Sequence, residues 1–181
     1  FMLFQNMAYI PTAIALAAYR QELDFSIGLG YGFLNGMLAF VAFLLLLKSL
    51  KHGDALALVP VVRLNFAVTA VLTVSFLGEQ LNWVKGAALG LAALAILTNG
   101  AGYTSAARQR KPFFMALMAM ILFGCIGLFY KLGLAAGATP GALVVAQSFG
   151  ALSLALPFAI RSGDNILVRG VHCWLPLLCG A

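Results

Sequence analysis

A succession of long apolar runs leaves this chain little conformational freedom. Stretches of about 20 apolar residues follow one another across connections as short as "KHGD" and "GEQLN", and about 20 such residues carry a helix across the hydrocarbon core. The runs predict spans at 1–19, 28–48, 55–77, 83–102, 113–133 and 141–160, with a seventh beginning near 171. The remaining connections, "RQELDFSI", "YTSAARQRKP", "LAAGATP" and "RSGDNILVRG", are too short to hold a soluble domain. In lipid each backbone N–H and C=O must be bonded within its own segment, which forces helices. A porin-like barrel is excluded because the runs are continuously apolar rather than alternating. The expected fold class is all-α, a polytopic integral membrane helical bundle.

Composition agrees. Of 181 residues, 63% are hydrophobic and 9% charged, against roughly 45–50% apolar residues in an average soluble domain. Eleven bases and five acids cannot supply a charged outer shell for a soluble chain of this length. The net charge of +6 does not point to nucleic acid, because the bases stand singly or in short clusters without a basic face or an aromatic platform. The positive-inside bias of membrane loops accounts for them. Cys125, Cys173 and Cys179 lie in apolar surroundings without CxxC spacing, so neither a disulfide framework nor a zinc site is expected. His52 and His172 belong to no metal-binding motif, and no cofactor is expected. The chain opens without methionine and ends inside an apolar run, and so reads as a fragment cut at both ends.

Small residues recur at packing spacing: Gly28, Gly32 and Gly36 in the second span, Gly86 and Gly90 in the fourth. Such ridges let helix backbones approach closely where no hydrophobic drive separates helix from lipid. There is also a faint repeat. Setting Gln5 against Gln147 lays "FQNMAYIPTAIALAAYR" over "AQSFGALSLALPFAI", matching Ala13 with Ala155 and Ala17 with Ala159. That offset makes the fifth span the start of a second unit. Five helices per unit follows, and an odd number inverts one unit relative to the other.

At this point the residues resemble a family. "LVPVVRLNFAVTAVLTVSFLGEQLNWVKGAALGLAALAILTNG" is similar to the end of an EamA domain of the drug/metabolite transporter superfamily, with a proline-bearing helix, a Leu-Gly-Glu exit at 77–79 and a glycine-bearing helix after a short turn. "FGCIGLFYKLGLAAGATPGALVVAQ" looks like the opening of the next repeat, with Lys131 near the end of its first helix and Pro140 leading into its second. The resemblance implies ten helices in two inverted five-helix repeats, of which about seven are present here. Residues 1–102 are then a first repeat lacking its first helix, 103–112 the inter-repeat loop, and 113–181 the truncated start of the second repeat. It also implies a secondary transporter moving a small metabolite, amino acid or drug by alternating access, with a proton or counter-solute as coupling partner. A bacterial inner membrane location and a homodimer are compatible with it.

Arg63 stands out among the candidate residues. It lies nine residues past Asp54, roughly 13 Å at 1.5 Å per residue, and an unpaired arginine at such depth costs about 2.5–3.5 kcal/mol on insertion scales. It is expected to face a cavity or a partner, either as an anion-binding or gating charge or as a structural tie to carbonyls. Asn65, Thr69 and Thr73 form a polar stripe at four-residue spacing, roughly 200° from Arg63 around the helix. The stripe either hydrogen-bonds substrate or bonds neighbouring helices and its own backbone. Lys131 and Tyr130 are a second intramembrane pair, with snorkelling as the alternative for the lysine. Gln5, Gln147 and Ser148 are polar residues at repeat-related positions within spans. Gly78 and Glu79 form the exit motif, for which a structural turn is the expected role.

Two rivals stand beside the transporter reading. A membrane-embedded enzyme would need paired carboxylates, a zinc motif or a nucleophile elbow, none of which the sequence shows. A non-transporting scaffold would use Arg63 and the glycine ridges only for packing. Orientation divides the indications. Lys48, Lys51, Arg108, Arg110, Lys111, Arg161 and Arg169 share one side, against Arg20, Lys85 and Lys131 on the other. The positive-inside rule puts the "TSAARQRKP" connection in the cytoplasm; the resemblance puts it outside, and takes precedence because a fragment omits charges of the same weight.

Overall fold

The computed structural model describes residues 2–23, 26–78, 80, 82–98 and 110–162. Glu79, the inter-repeat connection before Arg110, and the seventh run with His172, Cys173 and Cys179 lie outside the described residues, as does the Gln5 side chain. Seven helices are described: α1 Met2–Tyr19, α2 Leu29–His52, α3 Ala55–Arg63, α4 Asn65–Leu77, α5 Trp83–Thr98, α6 Arg110–Ala135 and α7 Pro140–Ser162. No strand occurs among the described residues. Leu29–His52, Leu58–Leu77, Arg110–Ala135 and Pro140–Arg161 are each long and apolar enough to cross a membrane. The fold is an all-α, multi-pass bundle.

Two departures from the expected spans concern the third and second helices. The third span is interrupted at Leu64, where the Leu64 N–H donates to the Val61 carbonyl at 3.1 Å in a tight i→i−3 turn. Pro60 lies one turn earlier, but a proline loses its own N–H bond and crowds the carbonyl four residues before it, so its effect falls on residues 56–59 and not on Leu64. Leu64 then accepts from Ala67 N–H at 2.9 Å, restarting the helix. The second departure is α2, which continues past Lys48 to end on Lys51 and His52. Cationic residues stabilise a helix C-terminus, so these bases extend the helix rather than stop it.

The packing inverts the pattern of a soluble domain. Alanines 13, 17, 39, 42, 116, 119, 138, 142 and 155 are buried, whereas Leu16, Val71, Phe76, Leu91, Phe114 and Ile160 are exposed. Lipid tails are as apolar as leucine, so large side chains lose nothing by facing them. Small residues bring backbones together for dispersion contact.

The chain divides into two compact units, one of residues 1–40 with 129–181, the other of residues 41–128. The division crosses α2 and α6, so it is one of packing and not of sequence. In the first unit α1 packs along α7, and the first half of α2 lies on α7 through the glycine ridge. A Cβ at Gly28 would meet Gly133 and Ala138, and one at Gly32 would sit 2.9 Å from the Leu143 carbonyl oxygen. At Gly36 it would overlap the Gln147 carbonyl, and Gly150 on α7 stands equally close to the Phe33 carbonyl. Gly32, Gly36 and Gly150 therefore set the α2–α7 contact from both sides, while Gly28, just before α2, meets the end of α6 and the turn after it. Tyr31 with Phe129 and Phe40 with Phe158 pack as ring pairs at 6.3 and 5.9 Å.

In the second unit Leu58, Val62 and Ala116 form a buried cluster, flanked by Leu46, Leu50, Phe113 and Phe123. The buried Ser49 hydroxyl donates to the Pro112 carbonyl at 2.7 Å, tying the end of α2 to the start of α6. Further along, Gly124 and Gly127 let α6 approach Val68 and Thr69 of α4.

Candidate functional site

In the second unit the interruption of the third span sets the local geometry. Arg63 is the last residue of α3, and its side chain is exposed. Leu64 is half-buried, and half-buried Asn65 opens α4. The Thr69 hydroxyl lies 3.1 Å from the Asn65 carbonyl oxygen and 2.9 Å from that of Gly124, so its single proton serves backbone acceptors on α4 and α6. Thr73 is 2% exposed and donates to the Ala70 carbonyl at 3.1 Å. Only acceptor lone pairs of these two hydroxyls remain for any other partner. Gly78 ends α4 in the left-handed region at φ 63°, where glycine escapes the Cβ penalty.

In the first unit, polar groups gather where α7 begins. Gly137, at φ 87°, reverses the chain after α6, and Pro140 occupies the first position of α7. There its missing N–H costs nothing. Thr139 accepts weakly from Ala142 N–H at 3.4 Å, and its hydroxyl also donates to the Glu22 carbonyl. The Glu22 carboxylate accepts from Gly141 N–H at 2.9 Å. An acid from the α1–α2 connection thus caps α7, where the helix dipole favours negative charge. Beside this cap lies a cavity of about 130 Å³ lined in part by Ala17, Arg20, Glu22, Tyr130 and Gly141. At about 30 Å³ per liquid water, it has room for a few waters or a small polar group.

The candidates therefore separate. Tyr130 lines this cavity, Lys131 follows it, half-buried and engaged with a partner, and Gln147 stands in α7 with its carbonyl against Gly36. Ser148, 2% exposed, donates to the Val144 carbonyl at 2.8 Å. Gln5 belongs to α1 of the same unit, whereas Arg63, Asn65 and Thr69 belong to the other.

Three polar residues escaped the sequence reading as site candidates. Arg20 and Glu22 sit in "RQELDFSI", where they pass for loop charges; only their distance from α7 across the sequence hides the cap that Glu22 builds and the cavity that both line. Asn35 lies inside the apolar second span, is 1% exposed, and its Oδ1 has no donor among the described residues. An amide within a membrane run is a signal in its own right, here obscured by the neighbouring glycine ridge. Among the described residues no three of His, Cys, Asp and Glu gather as metal ligands.

A family model described as the EamA-like transporter family matches residues 2–100. No curated protein and no solved structure matches the chain.

Proposed function

Because the chain belongs to the EamA-like transporter family, and is on that account a membrane protein of transporter type, we propose that it moves a small metabolite, amino acid or drug across the membrane by alternating access. Transport runs against a proton or a counter-solute, in two inverted repeats divided as 1–102 and 113–181, in a bacterial inner membrane. The observation that carries this reading is the family match over residues 2–100, and the one-residue irregularity at Leu64 with exposed Arg63 beside it adds to it. Irregular backbone and charge at membrane depth are tolerated where they line a polar cavity, and discontinuous helices are how many transporters build substrate sites. Arg63 favours an anionic or zwitterionic solute. Asn65 and Thr69 are the further groups proposed to meet it in that unit; Tyr130, Lys131, Gln5 and Gln147 are proposed as a separate solute-facing set within the other unit, and Gly78 and Glu79 are proposed to shape the exit of the third span.

The test is a thermal-shift screen of small metabolites on the purified, reconstituted protein, followed by uptake into proteoliposomes. A solute that stabilises the wild type but not Arg63→Ala, and whose uptake that substitution abolishes, makes Arg63 a binding residue. Equal stabilisation of both forms returns Arg63 to a structural role. Uptake that survives Arg63→Ala, Asn65→Ala and Lys131→Ala together requires a different path. If no solute is taken up by a protein of ordinary stability, the scaffold reading replaces the transporter.

A further inference from the structure

The second unit carries a pocket that the transport reading does not use. Where the end of α2 meets the start of α6, a cavity of about 350 Å³ is lined by His52, Lys111, Pro112 and Met115. Its lining is graded. His52 and Lys111 are exposed cationic or titratable side chains, whereas Pro112 is buried and Met115 half-buried one turn further into α6. Both helices are long enough to cross a membrane, so their ends mark the interfacial level.

The floor of this pocket is held in place. Ser49 bonds the Pro112 carbonyl at 2.7 Å, and a Cβ on Gly53 would stand 2.8 Å from Pro112 Cβ and 2.5 Å from Leu58 Cδ1. The α2–α3 corner is therefore packed onto the start of α6 without slack. His52 Nδ1 lies 3.0 Å from the Lys48 carbonyl oxygen, and a contact to a carbonyl requires Nδ1 to be the donor. Nε2 is the ring atom left for an outside ligand, and in the imidazolium form it donates. Lys48, Lys51 and Arg110, all exposed, stand within one helical turn of these two residues in sequence.

We infer that this pocket binds the phosphate headgroup of an anionic bilayer lipid, with Lys111 and His52 Nε2 on the phosphate oxygens and Met115 and Pro112 against the start of the acyl chains. Charge complementarity argues for an anion. The apolar inner wall at the interface argues for a lipid rather than a free ion, since basic pockets between membrane helices are suited to anionic headgroups. Loop charge alone, on whichever side, would place bases at this level. It would not require them to line a built cavity with an apolar floor.

The experiment counts phosphatidylglycerol and phosphatidylcholine retained by the purified protein, using native mass spectrometry after titration with equal mixtures of the two. The expected result is preferential retention of phosphatidylglycerol. That preference falls about fivefold in Lys111→Ala and further in the His52→Ala, Lys111→Ala double variant, and survives in Lys111→Arg. Arg161→Ala, a base at the end of α7 in the other unit, leaves it unchanged. Equal retention of the two lipids by wild type overturns the inference, as does an equal loss in Arg161→Ala, which would make the effect one of general surface charge. Displacement of the lipid by excess inorganic phosphate alone would assign the pocket to a soluble anion instead. Both substituted side chains are exposed, so neither change disturbs packing.

Discussion

Asn35 and Thr69 are both polar residues on membrane helices, yet their surroundings give them opposite effects on stability. The Asn35 Oδ1 is buried without a donor among the described residues, and an unsatisfied buried polar group costs about 1–3 kcal/mol. Asn35→Leu is therefore expected to raise the unfolding temperature in detergent; a fall would reveal that Asn35 holds a partner in the folded protein. Thr69 is tied to two carbonyls, and Thr69→Val should cost about 0.6 kcal/mol, the average for such interhelical bonds. Thermal unfolding reads that loss, and a value indistinguishable from zero would mean the bond to Gly124 contributes nothing. The stripe of Asn65, Thr69 and Thr73 was legible because four-residue spacing puts polar groups on one helix face. Which acceptors the hydroxyls meet was not legible, because Gly124 lies on a helix 55 residues away.

The α2–α7 contact and the start of α7 make the strongest predictions among the elements. Gly36→Val puts side-chain atoms into the space of the Gln147 carbonyl, and overpacking at a rigid backbone costs about 3 kcal/mol or more. The expected outcome is a variant that fails to give a monodisperse peak on size-exclusion chromatography. Gly90→Val is the control, since nothing among the described residues lies within 4 Å of the Cβ that residue would gain. Thr139→Ala removes the hydroxyl that bonds the Glu22 carbonyl and faces the Ala142 N–H, and should cost about 1 kcal/mol in thermal unfolding. An unchanged melting temperature would show that Glu22 and Pro140 alone suffice to start the helix. The cap residues Gly137, Thr139 and Pro140 are local signals that the sequence displays openly. The contribution of Glu22, 119 residues before Gly141, is not local at all. The interruption at Leu64 was not legible: Pro60 disturbs only the turn before itself, and prolines also sit inside α1 and α7 without ending them.

For the molecule as a whole, orientation is the property on which the family and the charge count disagree. Family topology leads us to expect the 103–112 connection outside. A cysteine placed at Ser105, in a background with the native cysteines replaced, should then react with a membrane-impermeant thiol reagent on intact cells. Labelling only after permeabilisation would reverse the orientation in favour of the seven bases counted on that side. That the chain crosses a membrane repeatedly as helices followed from the sequence alone, because lipid leaves a backbone no other way to satisfy its N–H and C=O groups, and apolar length is a property of each segment by itself. The glycine ridge of α2 was equally legible, since close approach demands a missing side chain wherever the partner lies. Tertiary structure decided which residues meet: that Glu22 caps α7, that Thr69 is engaged with α6, that Asn35 is buried without a donor among the described residues, and that His52 and Lys111 share a pocket. Those outcomes depend on how helices distant in sequence settle against one another, and in a bilayer that choice rests on shape and a few polar bonds rather than on the hydrophobic pattern each helix carries.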